Sequence, residues 1–127
     1  MADRSIIRTA SAPAALGPYS QAVVAGGLVF TAGQLGFIPG SKTLPEGIEA
    51  QTRQTLENIR AIVEAAGSDL GRVVKTTVFL SNMDDFAAMN AVYASFFVSD
   101  PPARSTVEVA RLPLAEALVE IEAVALV

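Results

Sequence analysis

Arg104 is the second residue of the segment Ala103-Arg104-Ser105-Thr106-Val107-Glu108-Val109, which directly follows Pro101-Pro102. A guanidinium stays charged and forks onto a carboxylate or phosphate through two bonds. Further on, Glu120 and Glu122 flank Ile121. A positioned carboxylate orients a water and accepts its proton. The pair of residue types therefore offers an anchored anion and an activated water. Plainer readings stand beside this one. Arg104 fits a surface ion pair, and Glu120 fits the solvated face of an edge strand. Glu122 shares a face with Glu120, so spacing does not decide between them. Tyr19, after Gly17-Pro18, either lines a cleft or packs a loop. Gly33 marks either a close backbone approach or a bulge. Asn90 lies off the apolar stripe of its helix, where surface residues are common. Ser20 and Ser105 have no histidine partner, which removes a serine-nucleophile reading.

Composition narrows the chemistry. The chain has no histidine and no cysteine. That excludes disulfides, thiolate chemistry, ordinary zinc sites and Ser-His-Asp triads. Acid–base work falls to carboxylates, tyrosine, water or the two lysines, Lys42 and Lys75. Nothing in the chain implies a metal or a cofactor. A net charge of −4 without a basic run argues against a nucleic-acid partner. No apolar run reaches the roughly 18 residues of a membrane span. Met1-Ala2-Asp3-Arg4 lacks a secretory pattern. The expectation is a soluble cytoplasmic protein with residues 1–127 as a single domain. Hydrophobic residues make up 51% of the chain and mean hydropathy is +0.43. So short a chain has little interior to hide them, which points to burial against further subunits.

The elements that must position these residues follow from periodicity. Ser5–Thr9 reads as a first strand. Gln21–Ala25 and Leu28–Thr31, joined by Gly26-Gly27, read as a hairpin. From Ile48 the spacing becomes helical: Ile48, Thr52, Leu56, Ile59, Val63 and Ala66 share one face, and Gly67 closes the helix. Gln51, Arg53, Glu57, Arg60 and Glu64 take the other face. Val73–Leu80 is a strand by β-branched content. Asn82 or Asp84 caps a second helix, whose stripe of Phe86, Met89, Tyr93, Phe96 and Phe97 reads as core. The Arg104 strand follows, and Leu118–Val127 closes the chain with Val119, Ile121, Ala123, Ala125 and Val127 on one face. The order ββ(β)-α-β-α-β-β predicts an α+β fold with two helices on one face of a mixed sheet.

Several stretches together resemble the RidA/YjgF family of reactive-intermediate deaminases. They are Ala14–Gln21, Phe30–Gln34, Val74–Phe79, Asp85-Phe86 through Asn90 to Tyr93, Pro102–Val107 and Val119–Ala123. The resemblance implies a chorismate-mutase-like fold, a six-stranded sheet backed by two helices. It also implies a homotrimer with sites in the clefts between subunits. The implied reaction is hydrolysis of 2-imino acids, such as 2-iminopropanoate and 2-iminobutanoate, to 2-keto acids and ammonia. By motif match, Arg104 holds the substrate carboxylate, Glu120 positions the water, Tyr19 lines the cleft, Gly33 offers backbone contacts and Asn90 adds a polar group. Many members carry serine at the position of Ala32 and cysteine at that of Thr106. The first hydroxyl is absent here, and Thr106 in the binding set implies that a thiol is not required. Two other functions fit the same pattern: a non-catalytic keto-acid-binding regulator using the same cleft, and an RNA-cleaving protein, which the acidic charge disfavours.

Overall fold

Gly26 and Gly27 carry positive φ values of 59° and 79°, as a primed two-residue hairpin turn requires. They join β2 (Ala22–Ala25) to β3 (Leu28–Thr31) in antiparallel register. The computed structural model describes residues 3–127, and among them lie six strands and two α-helices. β1 (Arg4–Ile7) pairs with β2 and stops short of Thr9, where the sequence pattern predicts its end. The reason is Gln21: its Oε1 accepts the Thr9 N–H at 2.7 Å and its Nε2 donates to the Thr9 carbonyl at 3.0 Å. Side-chain bonds here replace those of a strand ladder.

α1 (Ile48–Ala65) follows its predicted span and ends in a Schellman motif. Gly67, at φ 86°, donates to the Glu64 carbonyl, and Ser68 N donates to that of Val63 at 2.9 Å. Leu56, Ile59, Ile62 and Val63 are fully buried. So are Thr52, Thr55 and Asn58, while Gln51 is 3% exposed. Gln51 therefore leaves the solvent face assigned to it by periodicity, because its amide is needed inside. β4 (Val73–Leu80) matches the expected strand. Asn82 Oδ1 accepts from Asp84 N at 2.9 Å and opens a 3₁₀ turn, Met83–Asp85, ahead of α2 (Phe86–Phe96). β5 (Ala103–Glu108) and β6 (Val119–Leu126) complete the sheet.

The strand order is β1-β2-β3-β6-β4-β5. β4 and β5 are parallel, joined by a crossover through α2, and every other pair is antiparallel. Both helices cover one face, where Val29, Val78, Leu80, Met89, Val119 and Ile121 have no exposed surface. The other face is uncovered and carries Phe30, Val107 and Leu126, each more than 40% exposed. The α+β architecture thus agrees with the sequence reading. Two of its details do not. Val127 is 39% exposed beyond the end of β6, and Phe86 is 37% exposed instead of lying in the core.

Candidate active site

Arg104 sits on edge strand β5 opposite Thr76 of β4, and Thr76 is fully buried. Its side chain therefore points to the helix face. There the guanidinium carbon lies 4.6 Å from the Tyr93 ring centroid and 5.5 Å from that of Phe86. Nη1 donates to Asn90 Oδ1 at 2.8 Å. All three partners come from successive turns of α2. Tyr93 is itself fixed, its hydroxyl 2.6 Å from Thr76 Oγ1. Burial holds the Tyr93 phenol above its ordinary pKa, while the Thr76 bond and the Arg104 charge oppose that shift. Among the described residues Arg104 makes no ion pair; the pair found is Arg60–Glu57 on α1. A cation seated on aromatic faces without a carboxylate keeps donors free for an incoming anion. Thr106, next but one on the same strand face, has a buried Oγ1 without a hydrogen-bond partner.

Glu120 lies between buried Val119 and Ile121 and so projects to the opposite, uncovered face. It lines a pocket of about 510 Å³ together with Tyr19, Ala32, Gly33 and the loop residues Phe37 and Leu114. A Cβ at Gly33 would sit 1.9 Å from Glu120 Oε2, so only glycine leaves the carboxylate where it lies. Gln34 bridges to Ile121 through both backbone bonds, at 2.8 and 3.1 Å, and fixes the glycine beside the carboxylate. Tyr19 is 52% exposed, and its hydroxyl accepts the Leu16 N–H at 3.2 Å. Burial, and secondarily the neighbouring Glu122, raises the Glu120 pKa. That makes it a better proton acceptor than a surface carboxylate. Glu122 on the same face is exposed and lines no part of this pocket.

The residues singled out in the sequence thus fall into two groups. Arg104, Asn90 and Thr106 share the helix face, whereas Tyr19, Gly33 and Glu120 share the pocket on the other. One chain does not bring Arg104 and Glu120 together. In β5 the polar side, Arg104 and Thr106, faces the helices, and Val107 faces out. Phe86 and Tyr93, read as core, form the seat of Arg104. The sequence reading also passed over the amides that shape the pocket. Gln21 Nε2 holds the Thr9 and Pro13 carbonyls at 3.0 and 2.7 Å, and Asn58 Nδ2 holds those of Leu35 and Phe37 at 3.2 and 2.9 Å. The signal available was an asparagine at helical spacing from Thr55 and Ile62, inside the apolar stripe. Among the described residues no cluster of three or more acidic, histidine or cysteine side chains offers a metal site.

A six-stranded mixed sheet with two helices on one face and these two clusters defines a small α+β protein of the RidA/YjgF type. The chain belongs to that family: the family model described as Endoribonuclease L-PSP matches residues 9–127. A RutC family protein of Pyrococcus horikoshii is 52% identical, over 96% of this chain and 97% of its own. The 2-iminobutanoate/2-iminopropanoate deaminase of Salmonella typhimurium is also 52% identical, over 94% of each chain. The crystal structure of the YjgF gene product from E. coli matches with a TM-score of 0.92 at 49% identity, over 96% of this chain and 98% of that one. E. coli TdcF with bound serine gives 0.92 at 45% identity, over 97% and 98%.

Proposed function

We propose that this protein is a 2-iminobutanoate/2-iminopropanoate deaminase, with residues 1–127 acting as one domain. In this reading Arg104 forks onto the substrate carboxylate and fixes the adjacent C=N carbon. Glu120 accepts a proton from a water as the water oxygen bonds to that carbon and the C=N π electrons pass to the protonated nitrogen, giving a carbinolamine. Glu120 returns its proton to that nitrogen, and the C–N bond breaks as the hydroxyl loses its proton to water, releasing the 2-keto acid and ammonia. Asn90 orients the guanidinium, Thr106 offers its unpartnered hydroxyl, Tyr19 lines the cleft and Gly33 leaves room for the carboxylate and a backbone contact. The chemistry requires neither metal nor cofactor.

The observation that carries the proposal is Arg104 itself, a half-buried cation held by Tyr93, Phe86 and Asn90 with no acidic partner among the described residues. The deaminases among its relatives, about half identical over nearly the whole chain, support the same reaction. Because Arg104 and Glu120 leave opposite faces, the reaction is assigned to a homotrimer in which each site joins two neighbours. The exposed Phe30, Val107 and Leu126 supply apolar surface for that contact. Light scattering should give a trimer mass at micromolar concentration, and a monomer mass would contradict it. A cytoplasmic location belongs to the same proposal, since short-lived imines must be met where they are released. No helix of the described residues is long and apolar enough to cross a membrane.

The functional test is direct. 2-Aminoacrylate generated in situ, in tautomeric exchange with 2-iminopropanoate, should yield pyruvate faster with protein than in buffer, and trapping by semicarbazide should fall. Equal rates would end the proposal. The keto-acid-binding alternative predicts thermal stabilisation by 2-ketobutyrate without turnover. The RNA-cleaving alternative predicts nuclease activity that persists through purification, which a net charge of −4 and the lack of histidine argue against.

A further inference from the structure

Arg104 is held by groups that are themselves held. A free arginine stem samples many rotamers, and ordering it on binding costs affinity. Asn90 takes one N–H of the guanidinium, and the Tyr93 ring supplies a face for it. That face is a defined plane only if the ring cannot rock. Tyr93 is buried, its ring packs on Phe97 with centroids 4.7 Å apart, and its hydroxyl lies 2.6 Å from Thr76 Oγ1. Thr76, fully buried, is the direct neighbour of Arg104 across the β4–β5 ladder. The tip of the ring is therefore anchored on the residue beside the cation it carries. The entry to α2 is tied as well. Glu108 Oε1 accepts the Met83 N–H at 2.8 Å, which fixes the turn leading into Phe86.

Stability alone gives no reason for this pair of hydroxyls. A neutral buried hydrogen bond contributes little net, and an apolar pair of the same shape does nearly as well. Phenylalanine and valine would fill the two positions with almost the same volume. What a directed bond adds is a single geometry. Here that geometry belongs to the surface on which the guanidinium lies.

Resting on the deaminase reading, we propose that Thr76 and Tyr93 are positioning residues for Arg104. Their hydroxyl–hydroxyl bond fixes the ring plane, and the ring plane aims the free N–H edge of the guanidinium at the substrate carboxylate. Both act through Arg104. Misplacing a reacting group by about an ångström costs on the order of a hundredfold in rate. Tyr93→Phe leaves the ring seated on Phe97 and loosens only its tip. The expected fall in kcat/KM is therefore smaller, about threefold to tenfold. Thr76→Val removes the other half of the same bond and should cost as much.

The test is a cycle of variants assayed for hydrolysis of 2-iminopropanoate against a fixed semicarbazide trap, with rates taken per mole of folded protein. Tyr93→Phe is made in the wild type and in Arg104→Lys. It should lower kcat/KM by the stated factor with arginine and leave Arg104→Lys unchanged, because an ammonium has no plane to aim. Tyr93→Phe/Thr76→Val should match either single variant, since all three lack the one bond. That double variant leaves no hydroxyl of the pair unpartnered, so it carries the same comparison where a single variant folds poorly. An equal fall in both backgrounds, or no fall with arginine, would overturn the positioning role while leaving the deaminase reading intact. No acceleration by the wild type would overturn that reading, and the positioning role with it.

Discussion

Arg104 and Glu120 leave opposite faces of the same sheet. Arg104 pairs in register with buried Thr76 beneath Tyr93, whereas Glu120 pairs with Phe79 on the face no helix covers. In a 2-imino acid the carboxylate and the electrophilic carbon are directly bonded, so one small substrate cannot meet both groups of a single chain. The proposed chemistry therefore needs a ring in which each chain lends its arginine face to a neighbour's pocket, a head-to-tail contact that closes on itself. Oligomerisation and catalysis are then one requirement.

Arg104→Lys keeps the charge but loses the planar fork. A charge-assisted hydrogen bond is worth roughly 1.5–3 kcal/mol, and one of the two survives in lysine. The expected fall in kcat/KM is about tenfold to a hundredfold, at roughly 1.4 kcal/mol per decade. Arg104→Ala should lose more while melting close to the wild type, since Arg104 makes no ion pair among the described residues. Near-wild-type turnover in Arg104→Ala would end the carboxylate-anchor assignment, and melting curves on both variants separate lost chemistry from lost folding.

Gly33→Ala places a methyl 1.9 Å from Glu120 Oε2, so the carboxylate must swing away. It is only half-buried and has room to do so, which keeps the effect on stability small. Displacing a water-positioning group by about an ångström costs on the order of a hundredfold in rate. The prediction is a fall in kcat of that size with Tm little changed. A large drop in Tm with kcat intact in the folded fraction would show the glycine to be structural.

Burial, and then the neighbouring Glu122, raises the Glu120 pKa from its ordinary value. Its anion is the proton acceptor, so activity should rise as pH climbs through that raised value. Glu122→Gln removes the second cause and should move this acid limb to lower pH; an unmoved limb would show that Glu122 has no hold on it. The effect on stability has the reverse sign. With its folded pKa above its unfolded pKa, the folded state binds the extra proton, and stability is lost as pH rises between the two values. Glu120→Gln should therefore raise Tm near neutral pH and leave it unchanged below the ordinary carboxylate value.

Strand and helix spans were legible because periodicity reports burial: Val119–Leu126 and Ile48–Ala65 each show one covered face. Periodicity does not say which side of a strand the helices cover, so it did not place Arg104 of β5 on the helix face. Buried amides were illegible for a related reason. Gln51 looks like a solvent-facing helix position until the Glu116 carbonyl before β6 needs a donor, and Asn58, although inside the apolar stripe, carries no sign of the 35–37 loop carbonyls it serves. Phe86 and Tyr93 were recognised as apolar, but an aromatic seat for a cation has the same helical spacing as core.

The central claim, a deaminase site built from Arg104 of one chain and Glu120 of another, is tested most directly by mixing two inactive variants. Arg104→Ala and Glu120→Gln are unfolded together, refolded at equal concentration and assayed for hydrolysis of 2-iminopropanoate. Each parent alone should be close to the buffer rate. Random assembly leaves about a quarter of the shared sites with both native residues, so the mixture should recover about a quarter of wild-type activity. A mixture as inactive as its parents, once trimers are confirmed by light scattering, would contradict the account.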